Sequence, residues 1–312
     1  MMLEFVDERN EPFDVVGLGA SSLDIINLVD HFPQTEEVQL AHELVLSGGG
    51  PVATAIVALA RLGARTAMVD ALGDDWRSEI ILKQLQQEGV DTRYILTRPG
   101  QTSSTSCILV KRSTGERAIV HMPASAPELD PDEAPLSAIQ AARFLHLNGR
   151  HLKASLKAAR RARMAGVKVS FDGGANRYRP ELRPLIALAD ICIVARQFGE
   201  ACTGSHNLDQ AAVRLLEMGP GIVVITEGVR GSQVYSKKGQ RFYQPAFAMP
   251  EVVDTTGCGD SYHGAFLFGL LRQFSLEKTA EFASAVAALN TQALGGRKAL
   301  PTLKEVEQFL SS

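Results

Sequence analysis

Cysteine is scarce and scattered in this sequence: Cys107, Cys192, Cys202 and Cys258 are the whole set, and no two stand at zinc-finger or redox-motif spacing. In a chain of 312 residues, isolated cysteines read as small buried apolar residues of a reducing compartment, the cytoplasm, rather than as a disulfide scaffold. Long apolar runs are missing too. A stretch such as Gly264 to Leu271 falls far short of the roughly 20 residues that cross a bilayer. Charge of one sign is also missing. The 32 basic and 35 acidic residues leave −3, too balanced for a dedicated nucleic-acid binder or a polybasic membrane binder. The opening residues MMLEFVDERNEPF lack the basic-then-apolar order of a secretion signal. There is no linker rich in proline, glycine or serine, no internal repeat and no low-complexity tract. What remains is a globular chain, 45% hydrophobic, with length for two units or for one large domain with an appendage.

The periodicity favours the second. After a polar leader at 1–12, Phe13 to Gly17 reads as a buried strand. Residues 51–62 read as a helix stopped by Gly63, Thr66 to Leu72 as a strand, and Trp76 to Glu88 as an amphipathic helix closed by Gly89. Strands at Ala142 to Leu147, Val167 to Asp172, Ile191 to Val194 and Ile222 to Thr226 alternate with helices at Lys153 to Met164 and 208–218. Continuously apolar strands separated by helices predict an α/β fold: three layers, doubly wound, on a mainly parallel sheet. Two segments break the rhythm. Glu37 to Leu46 and Ser103 to His121 alternate apolar and polar residues, the second turning at Thr114-Gly115. They predict a small antiparallel β-sheet lid, inserted at about 35–47 and 103–122 in a domain spanning 13–312. The basic helix bearing Lys153, Lys157, Arg160, Arg161 and Arg163 has no aromatic interleaving and reads as a solvated face, not a nucleic-acid site.

The strongest chemical signal lies in Val252 to Leu271: a strand, the loop Asp254-Thr-Thr-Gly257-Cys-Gly-Asp260, then a long apolar helix. Backbone N–H groups of Gly257, Cys258 and Gly259 can converge where the helix begins and form an anion hole. Asp260 sits in the same first turn. A carboxylate beside an anion hole is what phosphoryl transfer to an alcohol needs, the acid taking the hydroxyl proton while the amides stabilise the moving phosphoryl group. Taken alone, Gly-Cys-Gly-Asp could equally be a turn and helix cap.

The longer run Asp-Thr-Thr-Gly-x-Gly-Asp before a helix rich in small residues resembles the C-terminal signature of the ribokinase-like (PfkB) carbohydrate kinase family. Other motifs follow in order over residues 13–310. Gly17 and Asp24 match the first strand and the acidic residue that binds sugar hydroxyls. Gly49-Gly50-Pro-Val-Ala-Thr54 resembles the family's glycine motif. Thr226-Glu-Gly228-Val-Arg-Gly231 resembles its ATP-phosphate loop, and Ala283 to Asn290 with Gly295 its adenine-side helix and loop. The resemblance implies a ribokinase-like fold and an ATP- and Mg2+-dependent sugar kinase. Asp260 would be the base, and Gly257, Cys258 and Gly259 the anion hole. Substrate would meet Asp24, Gly49, Gly50, Thr54, His121 and Arg150, and ATP would meet Thr226, Gly228, Gly231 and Asn290. It also implies a homodimer through the lid and a candidate potassium position near Asp254, Thr256 and Gly295. Cys258, where alanine is usual, keeps the amide and adds a thiol open to oxidation.

Within the family, Val15 to Phe32 and Phe144 to Arg150 are similar to the ketohexokinase branch, whereas Gly48 to Ala55, Gln244 to Phe247 and Gly295 to Arg297 are similar to the sulfofructose kinase branch. Both imply a keto-sugar or a 6-substituted derivative, with Arg150 reading an anionic end; as residues, Arg150 could equally be a surface arginine heading a helix and His121 a solvated strand histidine. There are departures. The family's Asn-x-x-Glu falls on Ala195 and Phe198, with Glu200 two positions out of register, and Asp172-Gly-Gly174-Ala-Asn176 matches the Asp-x-Asn-x-Arg strand end only in part. Val38 replaces a lid lysine, and Pro51 and Thr54 replace asparagines. Three other readings compete: an adenosine-like nucleoside kinase, an inactive sensor of the same fold, and a dehydrogenase suggested by Gly17-Leu-Gly19-Ala-Ser-Ser22. The last lacks the third glycine and a following helical period.

Overall fold

The computed structural model describes residues 13–312, so the leader expected at 1–12 lies outside the described residues. The apolar run after it forms β1 (Phe13–Leu18), followed by β2 (Ser22–Val29), β3 (Glu43–Gly49) and helix α1 (Pro51–Arg61). Next come β4 (Thr66–Gly73), α2 (Trp76–Gln87), β5 (Asp91–Arg98), β6 (Thr105–Lys111) and β7 (Arg117–Met122). Then helices and strands alternate through α3 (Leu136–Gln140), β8 (Ala142–Leu147), α4 (Leu152–Met164), β9 (Lys168–Gly173) and α5 (Arg183–Leu188). They continue through β10 (Ile191–Ala195), α6 (Arg196–Thr203), α7 (Leu208–Met218) and β11 (Ile222–Thr226). A hairpin of β12 (Ser232–Ser236) and β13 (Arg241–Gln244) precedes α8 (Cys258–Leu271), α9 (Leu276–Leu289) and α10 (Leu303–Ser311).

Local chemistry sets these limits. Pro51 opens α1 with its preset φ, and Gly63 follows the end of the helix at φ 100°. Asp75 caps α2 by accepting the Ser78 N–H, and Gly89 ends it at φ 75°.

The main sheet runs β13-β12-β11-β10-β9-β8-β1-β4-β5. From β11 to β5 every neighbouring pair is parallel, while β12 and β13 add an antiparallel edge. Side chains alternate between two cores. Val15 joins the layer of α1, α2, α8 and α9, whereas Val16 and Leu18 join that of α4, α5, α6 and α7. Helix α8 is buried from Ser261 to Leu271, as the apolar run after its first turns demands, while its first turn opens on the cleft. Gly264 lets it lie against α1, where a Cβ would stand 2.4 Å from the Ala55 carbonyl oxygen. The strand order reverses about β1, with β4 on one side and β8 on the other. Such a switch point opens a crevice at the carboxyl ends of the strands.

The second, smaller sheet, β3-β2-β6-β7, is the lid-like one; its two hairpin pairs are antiparallel as expected, but β2 and β6 pair in parallel, so the sheet is mixed rather than antiparallel. Strand β2 pairs with β3 and β6, so the segment after Gly19 is a strand and a dinucleotide would find no helix N-terminus there. The first lid strand begins at Glu43, later than the alternation from Glu37 suggested. Val38 and Leu40, 93% and 88% exposed, have nothing to pack on, so alternation alone does not make a strand. The second segment forms the expected hairpin, with Gly115 at φ 67°. Among the described residues no helix is long and apolar enough to cross a membrane.

Candidate active site

A cleft of about 1000 Å³ lies between the carboxyl rim of the main sheet and the lid. Asp260, Gly257 and Gly259 line its centre, Asp24, Gly50, His121 and Arg150 one end, and Thr226, Gly228 and Arg230 the other. Residues far apart in the chain therefore meet because each follows a strand or opens a helix at one rim.

The centre is built by the turn into α8. Gly257 caps the helix at φ 74°, where a Cβ would stand 2.6 Å from the Gly296 carbonyl oxygen, so only glycine fits. The Cys258 N–H makes a long 3.5 Å bond to the Thr255 carbonyl. Gly259 differs: nothing lies within 4 Å of where its Cβ would be, which leaves open space over the first turn. The free N–H groups and the dipole of a helix start favour an anion there. Asp260 follows directly. Burial raises its pKa above the carboxylate norm, and Asp172 adds to the rise while Arg177, His263 and Arg117 oppose it. A carboxyl so placed can take a proton from a hydroxyl group. Burial also pushes the half-buried Cys258 thiol up to about 12, which disfavours its thiolate form.

At the lid end, Asp24 on β2 accepts from the Ser22 hydroxyl at 3.1 Å. Burial raises its pKa to about 6, against the pull of Arg297, Ser22 and Ser106 and with a push from Asp260. Gly49 packs on this carboxyl, where a Cβ would be 2.1 Å from Oδ2. Gly50 starts α1 at φ 90°. Thr54 does not reach the cleft. It is buried, and its hydroxyl accepts from Arg297 Nε at 3.1 Å, while Arg297 Nη2 donates to the Gly49 carbonyl at 2.5 Å. His121 Nδ1 lies 3.2 Å from the Ser106 hydroxyl. Its proton affinity is lowered by burial and then by Arg177 and Arg150, so both guanidinium groups act on this corner.

At the other end, the turn after β11 is closed by a bond from the Glu227 N–H to the Gly231 carbonyl at 2.8 Å, with Gly228 at φ 61° and Gly231 at φ 93°. Arg196 follows Ala195, the first position of the missing Asn-x-x-Glu stretch. It binds Glu227 at 2.9 Å and Glu200 at 2.8 Å; of these two glutamates Glu227 lines the cleft and Glu200 does not. Asn290 is buried as well; its Nδ2 donates to the Gly296 carbonyl at 3.0 Å, so it holds the loop that packs on Gly257. Asp254 is fully buried, its Oδ1 accepting from the Thr256 N–H at 2.8 Å and its Oδ2 from the Gly295 N–H at 2.9 Å.

Sequence reasoning did not assign roles to Arg117, Arg177, Asp172 and His263, all of which line the cleft. His263 had a usable signal, since it stands three residues after Asp260 on one helix face. Burial raises the pKa of Asp172 to about 6 and lowers that of His263 to about 4.

The pfkB family carbohydrate kinase model matches residues 13–303. This chain belongs to that family. The PfkB carbohydrate kinases are phosphotransferases with an alcohol group as acceptor, and the chain is an enzyme of that class. It is 30% identical to a 5-dehydro-2-deoxygluconokinase of Shouchella clausii over 97% of both chains. To a nucleoside kinase of Methanothermobacter thermautotrophicus it is 28% identical over 96% of both. Its fold is that of Arabidopsis thaliana ribokinase, solved with ribose and ATP: the TM-score is 0.83 at 23% identity, covering 96% of this chain and 99% of that one.

Proposed function

We propose that this PfkB carbohydrate kinase transfers the γ-phosphoryl group of MgATP to a hydroxymethyl group of an anionic keto-sugar or related sugar acid, with Asp260 as general base. The observation that carries the reading is Asp260 itself, a half-buried carboxyl of raised proton affinity that lines the cleft in the first turn of α8, beside the open space over Gly259. The acceptor hydroxyl gives its proton to Asp260 as its oxygen attacks the γ-phosphorus, the bond to ADP breaks, and the proton later leaves to solvent. The amides of Gly257, Cys258 and Gly259 face the charge spread over the transferring group, and magnesium arriving with the nucleotide would neutralise its phosphates. Asp24 accepts sugar hydroxyls, and the turn from Thr226 through Gly228 to Gly231 takes the ATP phosphates. The lid excludes water that would otherwise hydrolyse ATP.

The anionic class rests on Arg150 and Arg177, which line the cleft with His121 and both lower its proton affinity. Two guanidinium forks suit a carboxylate, phosphate or sulfonate. The Shouchella relative's name, a dehydro-deoxygluconokinase, fits a keto-sugar acid. A nucleoside acceptor is the second reading, favoured by the Methanothermobacter relative. A monovalent cation such as potassium fits beside Asp254, a buried carboxylate that accepts from the Thr256 and Gly295 amides, and Thr256, whose hydroxyl has no partner. Two copies would pair through the lid, where Leu44, Leu46, Ile119 and Val120 are exposed.

The test is ADP release over fructose, fructose 6-phosphate, sulfofructose, ribose, 5-dehydro-2-deoxygluconate, 2-keto-3-deoxygluconate and adenosine. Activity is expected on an anionic keto-sugar. Asp260→Asn should lower kcat by roughly 10²–10⁴-fold with ATP binding kept. Turnover of adenosine alone would select the nucleoside reading, and turnover of none would overturn the proposed acceptor class.

A further inference from the structure

One turn along α8 from Asp260, three buried side chains from three elements face one another: His146 on β8, Asp172 on β9 and His263 on α8. One ligand atom from each lies within 4.8 Å of the other two, and among the described residues no other three or more His, Cys, Asp or Glu are so grouped. The imidazole centroids of His146 and His263 are 5.9 Å apart, and His263 Nε2 is 3.8 Å from Asp172 Oδ1. The three residues are 0%, 3% and 4% exposed in the order His146, Asp172, His263. Each leaves a buried polar atom without a partner: Nε2 of His146, Oδ2 of Asp172 and Nδ1 of His263. Unpartnered buried polar atoms are costly and uncommon, and one on each of three residues so grouped calls for a partner that the protein itself does not supply.

We propose that His146, Asp172 and His263 bind one divalent transition-metal ion at the floor of the cleft. Two imidazoles and a carboxylate are the donor set of zinc and similar borderline ions, not of magnesium, which takes oxygen ligands and arrives with ATP. His146 is held by Ser170, whose hydroxyl lies 3.2 Å from Nδ1, which leaves Nε2 as the nitrogen without a partner. Asp172 and His263 line the cleft whereas His146 lies behind them, so the fourth position opens toward the reacting groups. Metal bonds of about 2.1 Å put tetrahedral ligand atoms about 3.4 Å apart. Separations of up to 4.8 Å therefore close by about an ångström or more on binding.

The experiment uses untagged full-length protein, stripped with chelator and free of nucleotide and magnesium, titrated with Co2+. One equivalent should bind with visible d–d absorption, Zn2+ should abolish that absorption by displacement, and Zn2+ should raise the thermal midpoint. His146→Gln and His263→Asn, each checked as folded by circular dichroism, should bind Co2+ at least about tenfold more weakly and lose the Zn2+ shift. Absence of both signals in the wild-type protein would overturn the assignment and leave the three atoms to water. Unchanged binding in both folded variants would overturn it as well, because the ion would then sit elsewhere.

Discussion

His151 donates its Nε2 proton to Oδ1 of Asp70 across 2.7 Å, in a pair that is almost wholly buried. The Leu129 N–H donates to Nδ1 at 3.0 Å, which fixes the tautomer. Asp70 in turn accepts from the Ser21 and Ala71 amides at 2.7 and 2.8 Å. The pair ties the exits of β1, β4 and β8 together at the rim where the cleft opens. His151 also holds φ 54° next to Arg150. His151→Ala should cost about 1–3 kcal/mol of stability by leaving buried groups unpaired. It should also raise KM for an anionic acceptor by loosening Arg150. Urea unfolding with an unchanged midpoint would refute the structural part.

Gly257 and Gly259 are needed for different reasons, and alanine separates them. Gly257→Ala meets both a left-handed backbone and the Gly296 carbonyl, so it should destabilise the protein by about 1–3 kcal/mol. Gly259→Ala meets neither and adds helix propensity, so the thermal midpoint should hold or rise. Its methyl group enters the transfer space, and kcat should drop by an order of magnitude or more. A Gly259→Ala enzyme with normal kcat would show that no phosphoryl group passes there.

Asp24 gives acceptor binding an acid limit. Its raised pKa of about 6 means that the carboxylate form, which accepts sugar hydroxyls, is lost as pH falls below that value. The groups acting on it are Arg297, Ser22 and Ser106, which favour the ionised form, and Asp260, which disfavours it. KM for the acceptor should therefore rise toward pH 5 and be level above pH 7. In Asp24→Asn it should be high and flat throughout, and a wild-type KM constant from pH 5 to 8 would contradict this role.

Arg150 and Arg177 divide acceptors by charge. A hydrogen bond to a charged group contributes roughly 1.5–3 kcal/mol, so Arg150→Ala should raise KM for an anionic sugar about 10- to 100-fold while a neutral sugar is nearly unaffected. Arg177→Ala, at a more exposed position, should act in the same direction by less. Equal effects on both acceptor types would remove the anion-reading role.

The order of layers was legible because the buried parallel strands are continuously apolar and glycines punctuate the helices at Gly63 and Gly89. The catalytic turn was legible because its chemistry is local, from Asp254 to Asp260. Contacts between distant segments left no such trace. Thr54 is claimed by Arg297, 243 positions away, so a residue placed in the sugar site by motif became part of a buried strut. Asp172, Arg177 and His263 belong to the cleft only because two elements end at the same rim. The start of β3 was misread because alternation records which side chains could face a core, not whether a core is there.

Since strands enter the main sheet at one rim and leave at the other, every helix-to-strand turn, such as those at Gly63, Gly89 and Gly166, falls on the side away from the cleft. That side is a natural handle. A linker, fluorophore or solid support attached along it would leave the route of both substrates unobstructed, whereas the same attachment near Arg150 or Arg230 would block the entrance.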